Sequence, residues 1–168
     1  MTITLRAMEP SDIEAIYRWE NDPAVWGVSI AHQPFSRYAL QRFIDENSCS
    51  DIYASRQLRL MADDGDTAVG CIDLYDFDPF HRRASVGVLV DSRMRRQGYG
   101  CAMLAALEDF GLQHLDLHQL HCIVAADNKQ SVSLFGKAGY SNCGILKEWV
   151  LSNGRWVDAI VFQKIIGQ

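Results

Sequence analysis

The feature that most constrains the fold is an apolar stretch that runs into a glycine-containing turn and then into a long amphipathic segment. Residues 86–90 have the composition of a buried strand, and from 98 to 115 apolar residues recur at helical intervals. Between them lies the turn RRQGYG, residues 95–100. This order predicts a long helix that begins directly beside a buried strand.

The turn has the chemistry of an anion-binding site. The first turn of a helix leaves backbone N–H groups unpaired, and its dipole favours an anion. Glycines at 98 and 100 remove side chains that would keep a phosphate away from those N–H groups. The charged residues around the turn carry a local net charge of +4, against −5 for the whole chain: Arg82, Arg83, Arg93, Arg95, Arg96 and Asp91.

We interpret the turn as a phosphate-binding loop, and the alternative is a solvated turn that binds nothing. It is not a Walker loop, because no Gly-Lys-Ser/Thr follows, and it lacks the third glycine of a dinucleotide fingerprint. The residues predicted to hold the phosphate are Arg95, Arg96, Gln97, Gly98, Tyr99 and Gly100.

The rest of the chain predicts an α/β fold with one mixed sheet and helices on both faces. Predicted strands cover about 2–7, 52–62, 68–77, 84–90, 120–125, 140–151 and 155–165. Predicted helices cover about 10–20, 36–46, 98–115 and 128–137. Turns are expected at 63–66 and at Ser152-Asn153-Gly154, where Asn-Gly is a strong hairpin signal.

Composition excludes several classes of protein. With 168 residues, 48% of them hydrophobic, we expect a single domain over 1–168 with a substantial core. The net charge argues against a nucleic-acid partner, and the apolar runs are too short to span a membrane. No signal-peptide pattern is present. Five cysteines without a CxxC pair are typical of reduced, mostly buried thiols, so we expect a cytoplasmic protein.

Two sets of residues suggest ligand sites but have simpler interpretations. Three histidines have a spacing that resembles a metal site but lack the glutamate of HExxH, so we expect no metal: His114, His118 and His121. Four tryptophans could line a pocket, although their large area favours core packing: Trp19, Trp26, Trp149 and Trp156.

Arg95-x-x-Gly98-x-Gly100 after a buried strand resembles the cofactor signature of the GNAT acetyltransferase superfamily. The resemblance covers nearly the whole chain, because residues 128–140 are similar to the second conserved segment of that family. Residues 19–25, 81–84, 144–149 and 154–158 are similar to the branch of spermidine and ribosomal-protein N-terminal acetyltransferases. The resemblance implies a mostly antiparallel sheet with one splayed parallel strand pair, and an acetyl-CoA-dependent N-acetyltransferase.

The resemblance also implies where acetyl-CoA binds. The backbone of Val88, Leu89 and Val90 would bond the pantetheine amides and the thioester oxygen, with Leu89 counted among the catalytic residues. Asn128 and Ser131 would lie alongside the cofactor. For Asn128 a plain helix N-cap is the alternative interpretation, and one residue can serve both purposes.

The reaction implied is direct attack of a neutral amine on the thioester in a ternary complex. An amine of pKa near ~10.4 must first lose a proton, and we consider Asp73, Asp76 and Glu148 as bases, or else as solvent-facing strand residues. Many relatives have a tyrosine, which protonates the departing thiolate, where this chain has Phe135. A catalytically weak acyl-CoA-binding or sensory protein is therefore a second hypothesis, and a binder of another phosphate ligand is a third.

The acceptor is predicted from charge. Between residues 45 and 78 nine acidic residues face two arginines, a net charge of −7 that would attract cations. This favours a small cationic amine such as a polyamine or aminoglycoside, or a peptide amine, without deciding between them. The oligomeric state is left open, and a homo-oligomer is compatible with the sequence.

Overall fold

The computed structural model describes residues 2–23, 33–152 and 154–167. Its strands are β1 Ile3–Ala7, β2 Leu58–Asp64, β3 Thr67–Asp78, β4 Arg83–Val90, β5 Gln119–Ala125, β6 Ser141–Ser152 and β7 Arg155–Ile165. Its helices are α1 Ile13–Glu20, α2 Arg37–Ser48, α3 Ile52–Ser55, α4 Tyr99–Leu115 and α5 Lys129–Lys137. Short 3-10 turns cover Pro10–Asp12 and Ser92–Met94.

The strands form one sheet in the order β1-β2-β3-β4-β5-β7-β6. Every neighbouring pair is antiparallel except β4 and β5, which are parallel. The parallel pairing covers only three residue pairs and ends at Ser85 and His121. Beyond that point β4 continues along β3 and β5 continues along β7, so the two strands part. The expected mixed sheet with one splayed parallel pair is confirmed.

Helices pack on both faces of the sheet. On one face, α4 and α5 bury Met103, Leu104 and Leu107 against strand residues such as Val86 and Leu120. On the other, α1 and α2 bury a second cluster that reaches only β2, β3 and the end of β4: Met8, Ile16, Trp19, Leu40, Ile44, Met61 and Cys71.

Past that second cluster, none of the helices in the described part of the chain lies over the sheet. Along β5, Leu120, Cys122 and Val124 are buried under α4 and α5, so the alternate residues point the other way. We call this side of β5 and β7 the open face. Its side chains are Gln119, His121, Ile123, Val161, Gln163 and Ile165, and Ile123 and Ile165 are 46% and 53% exposed.

The strand predicted over 52–62 begins later than expected. Asp51 accepts a hydrogen bond from Tyr53 N and caps the single-turn helix α3. Arg56 ends that helix in the left-handed region at φ +60°, and β2 starts at Leu58. The following turn is tighter than predicted, because β2 continues to Asp64 and Gly65 makes the turn at φ +61°.

Two expectations about burial are wrong in part. Trp19 is buried, but Trp149 and Trp156 are 57% and 62% exposed on the β6–β7 hairpin. Trp26 and the turn residue Asn153 lie outside the described residues. Of the five thiols, those of Cys71 and Cys122 are buried, Cys101 is intermediate, and Cys49 and Cys143 are exposed. None of the described helices is long and apolar enough to cross a membrane.

A buried carboxylate fixes the end of β4 to helix α1. Asp91, 1% exposed, accepts hydrogen bonds from Trp19 Nε1 (2.9 Å), Arg18 (2.8 Å) and Arg93 N (2.9 Å). The Arg93 guanidinium also binds it. Hydrogen bonds from Arg93, and then from Trp19 and Arg18, hold the pKa of Asp91 far below its ordinary value. The strand therefore ends at one defined position before the turn that follows.

We predict that Asp91→Asn lowers the free energy of unfolding by about 2–3 kcal/mol at pH 7, because hydrogen bonds to a charged acceptor are lost. A depressed folded-state pKa stabilises the protein above the unfolded-state value and ceases to do so as the pH falls. The difference in free energy of unfolding between wild type and Asp91→Asn should therefore become smaller below about pH 4. Denaturant unfolding at a series of pH values measures this difference. Asp116→Asn, at an exposed left-handed position, is the control and should leave stability unchanged.

Candidate functional site

The backbone polar groups of β4 alternate between its two neighbours. Asp91 N donates to Val69 O (2.8 Å), and the register with β3 is unbroken from Val90 back to Ser85. Since bonding alternates along an antiparallel ladder, residues 87 and 89 bond β3, whereas 86, 88 and 90 point to the opposite edge. Beyond Ser85, β4 and β5 are no longer paired, and we call the space between them the gap. Along Val86 to Val90, the N–H and C=O groups of every second residue point into this gap.

Leu89 does not take the position that the sequence suggested for it. A Cβ on Gly70 of β3 would collide with the Leu89 carbonyl oxygen, so that carbonyl faces β3. The N–H of the same residue points the same way and is used by the sheet. The N–H groups that face the gap are those of Val88 and Val90, and Arg95 Nε donates to Val90 O (3.2 Å) at its open end.

An uncapped helix N-terminus lies at the open end of the gap. Gly98 precedes α4 at φ +92°, and no side chain caps the helix. The first helical bond joins Ala102 N to Gly98 O, so the three preceding N–H groups have no partner within the helix. The space around the α-carbon of Gly98 is open. A phosphate can therefore approach this helix end closely.

The second glycine of the turn has a different purpose from the one predicted. A Cβ on Gly100 would lie 2.9 Å from Leu134 Cδ1. Gly100 therefore permits α4 to pack closely against α5, and only Gly98 is needed for the turn and for the open space beside it. Tyr99, between them, donates its hydroxyl hydrogen to Asp64 Oδ2 (2.9 Å) and so ties α4 to β2.

Only some of the arginines predicted to surround the loop lie beside it with their charge unpaired. Arg82 and Arg83 pair with Asp116 and Asp78 at the other end of β4, about 23 Å away at roughly 3.3 Å per strand residue. Arg93 is bound to Asp91. Of the five arginines, Arg95 and Arg96 remain at the loop without a carboxylate among the described residues. Arg96 adopts φ +64°, and Gln97 bonds Arg93 O.

Helix α5 supplies the other wall of the gap. Asn128 Oδ1 accepts a hydrogen bond from Ser131 N (3.1 Å), so Asn128 is the N-cap of α5. One turn later Phe135 is 4% exposed and contributes no polar group. Its ring meets Tyr140 edge-on at 5.2 Å and stacks on Phe162 at 6.0 Å. Phe135 is therefore part of the aromatic core beneath β5 and β7.

Asp73 lies beside the gap, but its carboxylate is already bound by an arginine. Both of its oxygens bind the Arg59 guanidinium, at 2.6 and 3.0 Å, and Arg59 also binds Glu20 at 2.5 Å. Asp73 pairs with Gly87 of β4, on the side of the sheet that carries α1 and α2. This network of Glu20, Arg59 and Asp73 forms a polar wall next to the residues that face the gap.

Glu148 is remote from Asp73. It lies in the irregular stretch of β6 at φ +47°, it is exposed, and its N–H donates to Asp158 Oδ1 (2.9 Å). Strands β3 and β6 are four positions apart in the sheet, about 19 Å at roughly 4.8 Å per strand. The structure therefore does not bring Asp73 and Glu148, two of the three candidate bases, together.

The acids between 45 and 78 do not form one surface. Asp63 pairs with Arg6, Asp64 accepts from a tyrosine, Asp78 pairs with Arg83, and Asp51 caps α3. The charge of −7 predicted for this segment is thus divided among separate ion pairs and caps. It does not support a single acidic funnel for a cationic acceptor.

Sequence reasoning missed a polar cluster where the gap begins. Ser85 Oγ and His121 Nε2 are 3.0 Å apart, and Ser85 Oγ donates to Asp76 Oδ2 at 3.4 Å. Burial, with a smaller effect of Arg83, lowers the pKa of His121 below its ordinary value. One signal in the sequence could have indicated it. Every second residue of β5 is apolar and buried, and His121 belongs to the other set, which faces away from that core.

The three histidines do not form a metal site. His114 is exposed near the end of α4, His118 precedes β5, and His121 lies within β5. Among the described residues no group of three or more His, Cys, Asp or Glu side chains is placed to hold a metal ion.

Comparison with known proteins identifies similar sequences. The family model of the acetyltransferase (GNAT) domain matches residues 2–141. Spermidine N(1)-acetyltransferase from Vibrio cholerae serotype O1 is 23% identical over 157 residues, covering 93% of this chain and 88% of that protein. The L-amino acid N-acetyltransferase AaaT of Escherichia coli K12 is 26% identical, covering 97% and 98%.

Solved structures show the same fold. The crystal structure of spermidine N-acetyltransferase from Vibrio cholerae, in complex with CoA and spermine, superposes with a TM-score of 0.85. The sequence identity is 22%, and the superposition covers 98% of this chain and 95% of that one.

We predict that Gly70→Ala destabilises the protein by about 2 kcal/mol or more, because the methyl group would meet the backbone carbonyl of Leu89, which cannot rotate away. Gly144→Ala, with no atom near the new methyl group and no positive φ, is the matched control and should unfold like wild type. Thermal and denaturant unfolding of both variants measures this. Equal stability of the two would show that the Leu89 carbonyl does not face β3.

Proposed function

Because the chain belongs to the GNAT acetyltransferase domain family, we propose that it moves the acetyl group of acetyl-CoA to a primary amine of a polyamine or similar small cationic amine. The observation that carries the proposal is the gap between β4 and β5, with an uncapped helix N-terminus at its open end. Bound acetyl-CoA supplies an activated acyl group, a thioester whose sulfur can leave.

The residues present fit that ligand. The N–H groups of the first turn of α4 and the cations of Arg95 and Arg96 match a pyrophosphate, and the open space at Gly98 lets it approach. The unpaired edge of β4 would bond the pantetheine arm through Val88 and Val90. The N-terminal turn of α5, with Asn128 and Ser131, would lie alongside.

A backbone N–H in the gap would stabilise the reaction. The N–H of Val88 or Val90 is fixed by the register of β4 with β3, so it would meet the thioester oxygen without reorganisation. Removing a comparable donor from other enzymes costs about 10²–10³ in rate. The hydrogen bond to the thioester oxygen, which the sequence suggested for Leu89, would thus come from Val88 or Val90.

The acceptor would enter from the open face. The phosphate site lies at the open end of the gap, and the side chains of Asp73 and Ser85 lie on the face that α4 and α5 do not cover. An amine can therefore approach the gap while the cofactor arm occupies it, which supports a ternary complex and direct attack.

Charge near the gap favours a polyamine over an amino acid. An amino acid would need a cation for its carboxylate, and Arg59 already holds two carboxylates, Glu20 and Asp73. The network has a net charge of −1, which suits a cationic acceptor. The relatives named for spermidine support the same class.

Phe135 would make catalysis slower without preventing binding. It offers no proton to a departing thiolate, and a general acid is typically worth about 10²–10⁴ in rate. A thiol of pKa near ~8.5 is a tolerable leaving group without that help. A protein that binds acetyl-CoA but does not turn it over is the alternative function that Phe135 raises.

The test is CoA release, followed with a thiol reagent, from acetyl-CoA with spermidine, spermine, an aminoglycoside, an L-amino acid and peptides with free N-termini. We expect release that depends on a polyamine and little release with the amino acid. Micromolar acetyl-CoA binding with no turnover of any acceptor would favour the alternative. If acetyl-CoA does not bind, the proposal fails.

We predict that Gly98→Trp raises the KM for acetyl-CoA at least about tenfold, a loss of roughly 1.4 kcal/mol, because an indole would fill the space beside the α4 N-terminus. Gly154→Trp is the matched control, since Gly154 also has positive φ and open surroundings, but lies in the β6–β7 hairpin. Steady-state kinetics and calorimetric CoA titrations compare them. Equal affinities in the two variants would place the phosphate site elsewhere.

A further inference from the structure

The parting of β4 and β5 brings together three polar side chains from three strands. Ser85 and His121 are the last residue pair of the parallel ladder, and Asp76 follows the last regular pair of β3 with β4. Ser85 is 5% exposed. Asp76 and Ser85 are 9 residues apart in sequence and Ser85 and His121 are 36 apart, and the pairing of β3, β4 and β5 brings the three together.

Their hydrogen bonds define the state of the imidazole ring. Ser85 Oγ carries one hydrogen, which it donates to the Asp76 carboxylate at 3.4 Å. The oxygen, 3.0 Å from His121 Nε2, must therefore accept the Nε2 hydrogen. In the neutral ring the lone pair then belongs to Nδ1. The chain from Asp76 through Ser85 thus holds His121 in the tautomer that can take up a proton at Nδ1.

The backbone keeps the carboxylate in place. Asp76 adopts φ +52°, in the left-handed region that aspartate visits more readily than most residues. This position lies where the register of β3 with β4 shifts between Tyr75 and Asp78. The irregularity turns the carboxylate toward Ser85 instead of continuing the alternation of the strand.

The imidazole reaches a depression on the open face. Residues from β4, β5, β6 and β7 line this hollow of about 260 Å³: Arg83, Gln119, His121, Cys143, Val161 and Gln163. The charged and titratable groups around the ring are Arg83 and Asp76, together with the Cys143 thiol across the hollow. Burial and then Arg83 lower the pKa of His121 below its ordinary value, although Asp76 and a hydrogen bond with the Ala84 backbone oppose them, so the neutral ring is favoured at pH 7.

We infer that His121 is the general base that deprotonates the acceptor amine, and that Ser85 and Asp76 are its positioning residues. This rests on the proposed acetyl transfer. The three carboxylates first considered as bases are less suitable. Arg59 occupies both oxygens of Asp73, Glu148 lies on β6 at the edge of the sheet, and Asp76 accepts a hydrogen bond from Ser85 Oγ. His121 lies where β4 and β5 separate, and in the tautomer that Ser85 and Asp76 favour its lone pair is on Nδ1.

An N–H bond of the ammonium breaks, its electron pair stays on nitrogen, and the proton goes to His121 Nδ1, directly or through one water. The amine nitrogen forms a C–N bond to the acyl carbon, and the sulfur leaves with the electron pair of the C–S bond. The nitrogen loses a second proton; one of the two ends on the CoA sulfur and the other is released to water.

The first test is the pH dependence of kcat/KM for spermidine in His121→Gln. We expect a loss of about 10²-fold at pH 7 and disappearance of the fall toward acid pH that protonation of His121 causes in wild type. The KM for acetyl-CoA and the melting temperature should stay near wild type. His114→Gln, at an exposed site near the end of α4, is the matched control and should behave as wild type.

The second test does not depend on turnover. Nitrogen-15 NMR of the imidazole at pH 8 should show the Nε2–H tautomer of His121 in wild type. In Asp76→Asn that preference should weaken, because the serine hydrogen is freed to point at Nε2. An Nδ1–H tautomer in wild type, or a His121→Gln enzyme with unchanged rate and pH profile, would overturn the inference alone. A wild-type protein without any amine-dependent turnover would overturn the proposed function and this inference together.

Discussion

The structure depends on one asymmetry of strand β4, which is bonded to β3 along its length but to β5 only as far as Ser85. A sheet normally satisfies both edges of an internal strand, and unpaired buried backbone groups are costly. Here the unpaired edge ends at Val90, before the turn that leads to α4, and the carbonyl of Val90 accepts a hydrogen bond from Arg95. The gap therefore has one closed end, at Ser85 and His121, and one open end, beside the N-terminus of α4. It suits a ligand that has amides along a chain and phosphates at one end.

The two faces of the sheet explain how a cofactor and an acceptor can be handled together. Helices α4 and α5 cover one face and supply the phosphate-binding helix end, whereas α1 and α2 cover only part of the other. On the rest of that face, beside the gap, Ile123 is exposed and His121 is half-buried. Asp91 joins α1 to the end of β4, so the covered part of this face and the phosphate loop are held in a fixed relation.

Much of this could be predicted from local sequence, because the determinants are local. The buried strand, the glycine at 98 and the long helix are consecutive, and Asn128 sits one residue before the helix that it caps. The roles of individual β4 residues could not be predicted in this way. Whether Leu89 or Val88 faces the gap depends on the register with β3, and the partnership of Ser85 and His121 depends on a parallel pairing across the sheet. Likewise, the position of Asp73 in sequence does not reveal that Arg59 binds it.

Residue-resolved amide exchange of the protein, measured by NMR with and without CoA, tests the central claim most directly. The account predicts that Val88 and Val90 exchange fast in the free protein and become protected when CoA binds. It also predicts that Gly87 and Leu89, which bond β3, are protected in both states. Protection that appears at Leu89 on binding, or CoA binding that leaves Val88 and Val90 unchanged, would contradict the assignment of the gap as the cofactor site.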